Sequence, residues 1–324
     1  MSFQDIKGQD RAVDFFKRAL KSKQVSSAYL FSGPSGVGKT LLAHTLSKAL
    51  NCADRDDDAC DTCVSCLKVE AKGHPDVIWI DAADDKEEIG IEQIRELQRR
   101  INLRPYEGKQ KVFIIQNADA MTQDAANCLL KTLEEPPADS VIILIASNPE
   151  LLLPTVRSRC KQIKLDPLSP AVRAELALKM GFSKEEALFL SKLSSSGIGE
   201  WPDIKEGAVF DYRNRVLEEF NSGATLLDEK SFLFNESRDM MKFALSILES
   251  WFRDIMVLKS GADRSIIMNS DRAQDLEGVK DRLGFEALES ALRETEDAFF
   301  CVTRNVGPKV TLNRLKMKIS ELTK

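Results

Sequence analysis

The sequence predicts an α/β fold, with a parallel sheet built around a phosphate-binding loop and an all-helical region after it. Three observations predict it. Gly33, Gly38, Lys39 and Thr40 give the spacing Gly, four residues, Gly-Lys-Thr; an apolar strand (Tyr29 to Phe31) leads in, and an apolar-periodic helix (Leu41, Leu42, Leu46, Ala49, Leu50) leads out. Four further apolar runs, at 77–80, 111–116, 141–146 and 163–165, alternate with helix-period stretches, as strands of a parallel sheet do. Beyond the break Asp166-Pro167-Leu168-Ser169-Pro170 no strand pattern is convincing.

The loop chemistry follows from residue types. Gly33, Gly36 and Gly38 let the chain curl so that backbone N–H groups point at phosphate oxygens. The helix N-terminus adds its positive dipole end. Lys39 is placed to reach the outer phosphates, and the Thr40 hydroxyl suits Mg²⁺. A nucleotide such as ATP is the expected ligand.

Bulk properties narrow the class. At 324 residues, 43% apolar and 30% charged, the chain reads as an ordinary soluble protein of two or three domains. No run of about 18 apolar residues exists, so no membrane span is expected. The N-terminus, Met1-Ser-Phe-Gln-Asp-Ile-Lys7, is not a signal peptide. A net charge of −5 argues against a chain that coats nucleic acid alone.

Along the chain, Val13, Phe15, Phe16 and Leu20 predict a first helix before the phosphate loop. Ile91, Ile94, Leu97 and Ile101 predict another, stopped by Arg104-Pro105. Its other face carries Arg95, Arg99 and Arg100, a solvated face or a contact for a DNA backbone. In nucleotidases of this layout the tip of the third strand carries two acids, one for Mg²⁺ and one to activate water. Here those positions are Gln116 and Asn117, and Asp119 comes two residues later, where a turn aims it differently. Thr122 is placed to cap a helix through Ala125, Ala126, Leu129, Leu130 and Leu133, ended by Pro136-Pro137. Ser147-Asn148 follows the fourth strand, where a polar side chain reaches a γ-phosphate or caps the strand. A short helical pattern over 151–159 closes on Ser158-Arg159-Cys160. Past the break, short helices are expected at 171–180 and 183–193 with a glycine turn over 194–200, then amphipathic helices, clearest at 237–259 and 284–302.

Cys52, Cys60, Cys63 and Cys66 are separated by seven, two and two residues. Four thiolates at this spacing can wrap one tetrahedral Zn²⁺ and leave no open position, so the expected zinc is structural. The acidic stretch between Cys52 and Cys60 has too little apolar content to fold on a core of its own, and a metal would staple it. Clustered thiols in a chain of this kind fit the reducing cytoplasm. His74, nearby, begins a new segment and is not needed as a ligand.

These motifs together resemble one family. Gly33–Thr40, the four cysteines, Asn127-Cys-Leu-Leu-Lys-Thr-Leu-Glu-Glu-Pro-Pro137 and Ser158-Arg-Cys160 stand in the order and at the spacing of bacterial clamp-loader AAA+ subunits. Trp251–Lys259 and Arg304–Val310 are similar to collar helices of the delta prime branch, and His74-Pro-Asp76 before the second strand also resembles that branch. The resemblance implies an AAA+ P-loop core with a central parallel five-stranded sheet over 1–168 and a zinc module at 51–66, a helical lid over 169–207 and an all-α collar over 208–324. It implies nucleotide contacts by Gly33, Gly36, Gly38, Lys39 and Thr40, and zinc ligation by Cys52, Cys60, Cys63 and Cys66. It also makes Arg159 an arginine finger for ATP bound on a neighbouring subunit. Implied partners are gamma/tau and delta clamp-loader subunits of DNA polymerase III, the sliding clamp, and primed DNA through the complex. The sequence departs from the hydrolysing gamma/tau branch at Gln116 and Asn117, and the turn Gly197–Trp201 lacks the lid arginine. Both departures point to a delta prime-type subunit that binds ATP weakly or statically. The other readings are a gamma/tau-type hydrolysing subunit, an independent P-loop ATPase or nucleotide kinase, and a zinc-dependent nucleic-acid binder.

Overall fold

The computed structural model describes residues 1–82, 88–194, 197–201, 204, 207–221, 231–304 and 306–322. The chain divides into two compact units, Met1–Ser169 and Pro170–Lys324, so the boundary falls inside the Pro-rich break read from composition.

In the first unit the elements run α1 (Asp10–Lys21), β1 (Ala28–Ser32), α2 (Lys39–Asn51), α3 (Val64–Glu70), β2 (Val77–Ile80), α4 (Ile91–Ile101), β3 (Lys111–Ile115), α5 (Gln123–Glu134), β4 (Ser140–Ala146), α6 (Pro154–Arg157) and β5 (Lys161–Lys164). All five expected strands form one parallel sheet in the order β2-β3-β4-β1-β5. The last strand starts two residues earlier than expected, and Leu165 N still donates to Ser32 O beyond its end.

Every residue of β1, β3 and β4 is buried, because both faces are covered. Alternate residues serve alternate cores. Tyr29, Phe31, Val112, Ile114, Val141 and Ile143 pack with Phe16 of α1 and Leu42 and Leu46 of α2. Leu30, Phe113, Ile115, Ile142 and Leu144 pack with Ile94 and Leu97 of α4 and Leu129 of α5. The period of two in a strand produces this division. Thr122 caps α5 as expected, its hydroxyl accepting from Ala125 N at 3.2 Å. The pattern over 151–159 yields the end of a 3₁₀ turn (Pro149–Leu151) and the single turn α6, so Ser158 and Arg159 lie outside a helix, in the link to β5.

Asp76 anchors the loop between α4 and β3. Its Oδ1 accepts from Tyr106 N at 2.8 Å, and its Oδ2 from Glu107 N at 2.9 Å and Gly108 N at 2.8 Å. Burial works against its charge, but these three donors hold the carboxyl below its ordinary value. A depressed carboxyl contributes stability above its unfolded pKa, near 3.9, and loses it as pH falls through the lower folded value. Asp76→Asn is therefore expected to cost ~2–3 kcal/mol at pH 7. The gap to the parent should narrow as pH falls through the ordinary carboxyl range and close below the depressed folded value. Denaturant midpoints from pH 7 downward read this directly, and a gap independent of pH would rule the charge out as the anchor.

The second unit is helical among its described residues: α7 (Pro170–Lys179), α8 (Lys184–Leu193), α9 (Val209–Asn221), α10 (Arg238–Lys259), α11 (Ala273–Lys280), α12 (Phe285–Thr303) and α13 (Pro308–Leu322). Ser183 and Ser237 cap α8 and α10. One apolar cluster joins Ala177 and Leu190 of the first helix pair to Ile247, Leu288 and Leu315 of the later helices. Arg213 is buried in it, against the rings of Phe189 and Phe210 and paired with both carboxylate oxygens of Asp271. Ser195 and Ser196 of the expected glycine turn, and Asn305 of the segment Arg304–Val310, lie outside the described residues. No helix among the described residues is long and apolar enough to cross a membrane.

Candidate functional site

The phosphate loop leaves β1 at its C-terminal end, beside the tips of β4 and β5. That is where ligands bind in open parallel sheets. Gly33, Gly36 and Gly38 all have positive φ, at 146°, 73° and 99°. At Gly33 a Cβ would sit 2.3 Å from Leu165 O, so only glycine allows the loop to pack on the end of β5. Gly38 precedes α2, which starts at Lys39, and Thr40 is exposed in its first turn. Lys39 Nζ donates to Gly33 O and Pro34 O, both at 2.6 Å, and to Ser147 Oγ at 3.1 Å. Burial lowers the Lys39 pKa, and the field of Asp119 opposes that shift. The ammonium therefore lies at the mouth of the loop, and Ser147 is the polar residue that the β4 tip brings to it.

The third-strand tip supplies no free acid. Gln116 and Asn117 stand there, and the Asn117 amide donates to Asp81 Oδ1 at 3.2 Å, at the β2 tip. Asp119 does turn elsewhere. Its Oδ2 accepts from Ser147 N at 3.1 Å and Asn148 N at 2.7 Å, bracing the β4 tip.

Gln9 carried no signal in the sequence. Its buried side-chain amide donates to Val37 O in the phosphate loop (3.2 Å) and to Asp166 O (2.8 Å), and it accepts from Asp166 N (3.2 Å). Its partners lie up to 157 residues away, and local periodicity contains no trace of them.

Cys52, Cys60, Cys63 and Cys66 come together, their Sγ atoms all within 4.8 Å of one another. Tetrahedral Zn–S bonds of about 2.3 Å place sulfurs about 3.8 Å apart, so a small inward movement suffices. Cys63 N donates to Cys60 Sγ at 3.2 Å and Cys66 N to Cys63 Sγ at 3.4 Å. Hydrogen bonds from Thr62 lower the Cys60 thiol to about 6, whereas burial pushes Cys66 up to about 12. This donor set is compatible with zinc, whose charge is what lets a buried thiol such as Cys66 deprotonate. His74 is not part of the cluster; its Nδ1 accepts from Asp76 N at 3.1 Å.

The module is also tied into the core by carboxylates. Asp58 accepts from Phe3 N at 3.0 Å. Lys48 of α2 is 0% exposed, with Nζ 2.5 Å from Asp61 Oδ1 and 2.6 Å from Glu70 Oε2. Burial alone would lower its pKa, but those carboxylates raise it.

Arg159 lies at the other end of the sheet. Tyr29 is opposite Lys161 and Ser32 opposite Lys164, so Arg159 precedes the N-terminal end of β5 while the phosphate loop follows the C-terminal end of β1. About six strand residues, or ~20 Å, separate the two levels. The basic face of α4 is interleaved with acid: Arg95 pairs with Glu92 and Arg99 with Glu96, three residues back.

The fold and the site define a P-loop nucleotide-binding α/β protein with a four-cysteine module. The chain belongs to the family described as DNA polymerase III, delta subunit, whose model matches residues 8–169, and with it to the AAA+ clamp-loader subunits. The subunit delta' of DNA polymerase III from Bacillus subtilis is 27% identical over 267 residues, covering 80% of each chain. The gamma/tau subunit of Mycobacterium tuberculosis is 34% identical over 311 residues, covering 85% of this chain, which spans 53% of that relative. A crystal structure of a DNA polymerase III gamma subunit-related protein from Thermotoga maritima aligns at 19% identity and TM-score 0.47, over 97% of this chain and all of that one.

Proposed function

We propose that this chain is a delta prime-type subunit of a DNA polymerase III clamp loader. In this reading it binds ATP weakly or statically and does not hydrolyse it, and it donates Arg159 in trans to the ATP of a neighbouring subunit. One observation carries it: a complete phosphate loop stands beside Gln116 and Asn117, with the nearby Asp119 engaged on the backbone of Ser147 and Asn148. Neither amide can take a proton from water, and neither carries the charge that a Mg²⁺ ligand supplies there. Gly33, Gly36, Gly38 and Lys39 would hold the phosphates, and Thr40 the Mg²⁺ of the nucleotide. Cys52, Cys60, Cys63 and Cys66 would hold one zinc, whose part is to fix the fold of the module.

Partners in this reading are gamma/tau- and delta-type subunits, and through the assembly the sliding clamp and primed DNA, in the cytoplasm. Residues 169–207 would act as the lid and 208–324 as the collar through which subunits assemble. A second reading, a gamma/tau-type hydrolysing subunit, is favoured by the 34% identity to the mycobacterial gamma/tau relative. The ATP turnover of the chain alone and mixed with a gamma/tau-type partner separates the two. The expected result is negligible turnover alone and strong turnover together. Turnover by the lone chain that Lys39→Ala abolishes would establish the second reading instead.

A further inference from the structure

An exposed arginine head group ordinarily keeps its rotamer freedom, about 2 kcal/mol of it. The Arg159 guanidinium is instead engaged through Nε, Nη1 and Nη2. Its Nε donates to Glu134 Oε1 at 2.9 Å, its Nη2 lies 2.5 Å from the same oxygen, and its Nη1 donates to Thr155 O at 2.9 Å. Two elements thus fix the plane of the group, the end of α5 and the turn α6. Each Nη carries a second N–H. Those two have no partner among the described residues, so a forked pair of donors stays available to an anion.

Stability does not account for the pair. The side chains are 34% and 50% exposed, and ion pairs at such sites contribute about 0–1 kcal/mol. Nor does Glu134 serve its helix. It is the last residue of α5, where the dipole's negative end disfavours an acid. What the carboxylate does is hold one arginine in one orientation.

We propose that Glu134 is the positioning residue for Arg159, presenting the guanidinium pre-oriented to the terminal phosphate of a nucleotide bound on the adjoining subunit. This rests on the trans role of Arg159 proposed above. Pre-orientation removes side-chain entropy that the transition state would otherwise lose.

The test uses this chain assembled with one ATP-hydrolysing gamma/tau-type partner, with Glu134→Ala, Glu134→Gln and Glu134→Asp each made in the parent and in Arg159→Ala. Glu134→Ala is expected to lower kcat of the partner ~10-fold with KM for ATP unchanged. Glu134→Asp should recover part of the loss and Glu134→Gln less, with melting temperatures within about 2 °C of the parent. In the Arg159→Ala background Glu134→Ala should have no further effect. If Glu134→Ala turns over at the parental rate, or if it adds its full loss to Arg159→Ala, Glu134 does not act through Arg159 and the proposal falls. If Arg159→Ala is itself silent, the trans finger fails first and takes the positioning role with it. If Arg159→Ala is defective while Glu134→Ala is normal, only the positioning role fails.

Discussion

Arg159→Ala is expected to cut ATP turnover at the neighbouring site by roughly 10³-fold or more, with assembly and fold intact. The magnitude comes from charge. As the terminal phosphoryl group transfers, negative charge spreads over its oxygens, and a guanidinium placed there stabilises it where water would not. Topology argues against action in cis. Arg159 precedes β5 and the phosphate loop follows β1, at opposite ends of parallel strands, so the arginine cannot turn to its own loop. The exposed pair with Glu134 contributes little to stability, so the loss should appear in kcat rather than in melting temperature. Arg159→Lys should rescue poorly, since an ammonium lacks the planar fork. The measurement is steady-state turnover of a two-subunit assembly in which only this finger serves the hydrolysing site. Turnover within twofold of the parent would remove Arg159 from the mechanism.

Loss of the metal is expected to be the largest structural perturbation. The purified chain should carry about one zinc, and Cys66→Ser should carry none. Small zinc modules owe on the order of 10 kcal/mol of folding free energy to the ion. Here the carboxylates of the module are expected to retain part of the fold without it, through Asp58 on Phe3 N and through Asp61 on Lys48. Lys48 is the point of coupling. It is fully buried on the helix that begins at Lys39, so loosening Asp61 and Glu70 strips both counter-charges from a buried ammonium. The expected result is a fall in melting temperature of roughly 10 °C. Faster amide exchange over 39–51, as well as over 52–70, should accompany it. Elemental analysis that finds no zinc in the parent would refute the cluster as a metal site. Exchange confined to 52–70 would refute the coupling through Lys48.

Much of the site was legible before folding. The apolar runs read at 29–31, 111–116 and 141–146 mark strands buried on both faces, and the structure moves their ends by no more than one residue. The glycines and Lys39 of the loop lie within eight residues, so their chemistry is local. The same holds for three of the four cysteines, and for Thr122 as a helix cap. Gln116 and Asn117 were legible by residue type alone.

The strand order, the aim of Asp119, the grip of Gln9 on Val37 and Asp166, the pairing of Lys48 with Asp61 and Glu70, and the hold of Glu134 on Arg159 were not legible. Each joins residues far apart in the chain: 28 or 29 positions for Asp119 with the β4 tip, 157 for Gln9 with Asp166, 25 for Arg159 with Glu134. Periodicity records which face of a segment is buried, because burial is a property of the segment itself. It does not record which distant group a polar side chain meets, because that choice follows from sheet order and register. Residue types and spacing alone establish a phosphate loop, a cysteine cluster and amides in place of the acid pair at the third-strand tip. Only the tertiary structure set the loop and Arg159 at opposite ends of one parallel sheet, since the direction and order of strands place their two ends in space.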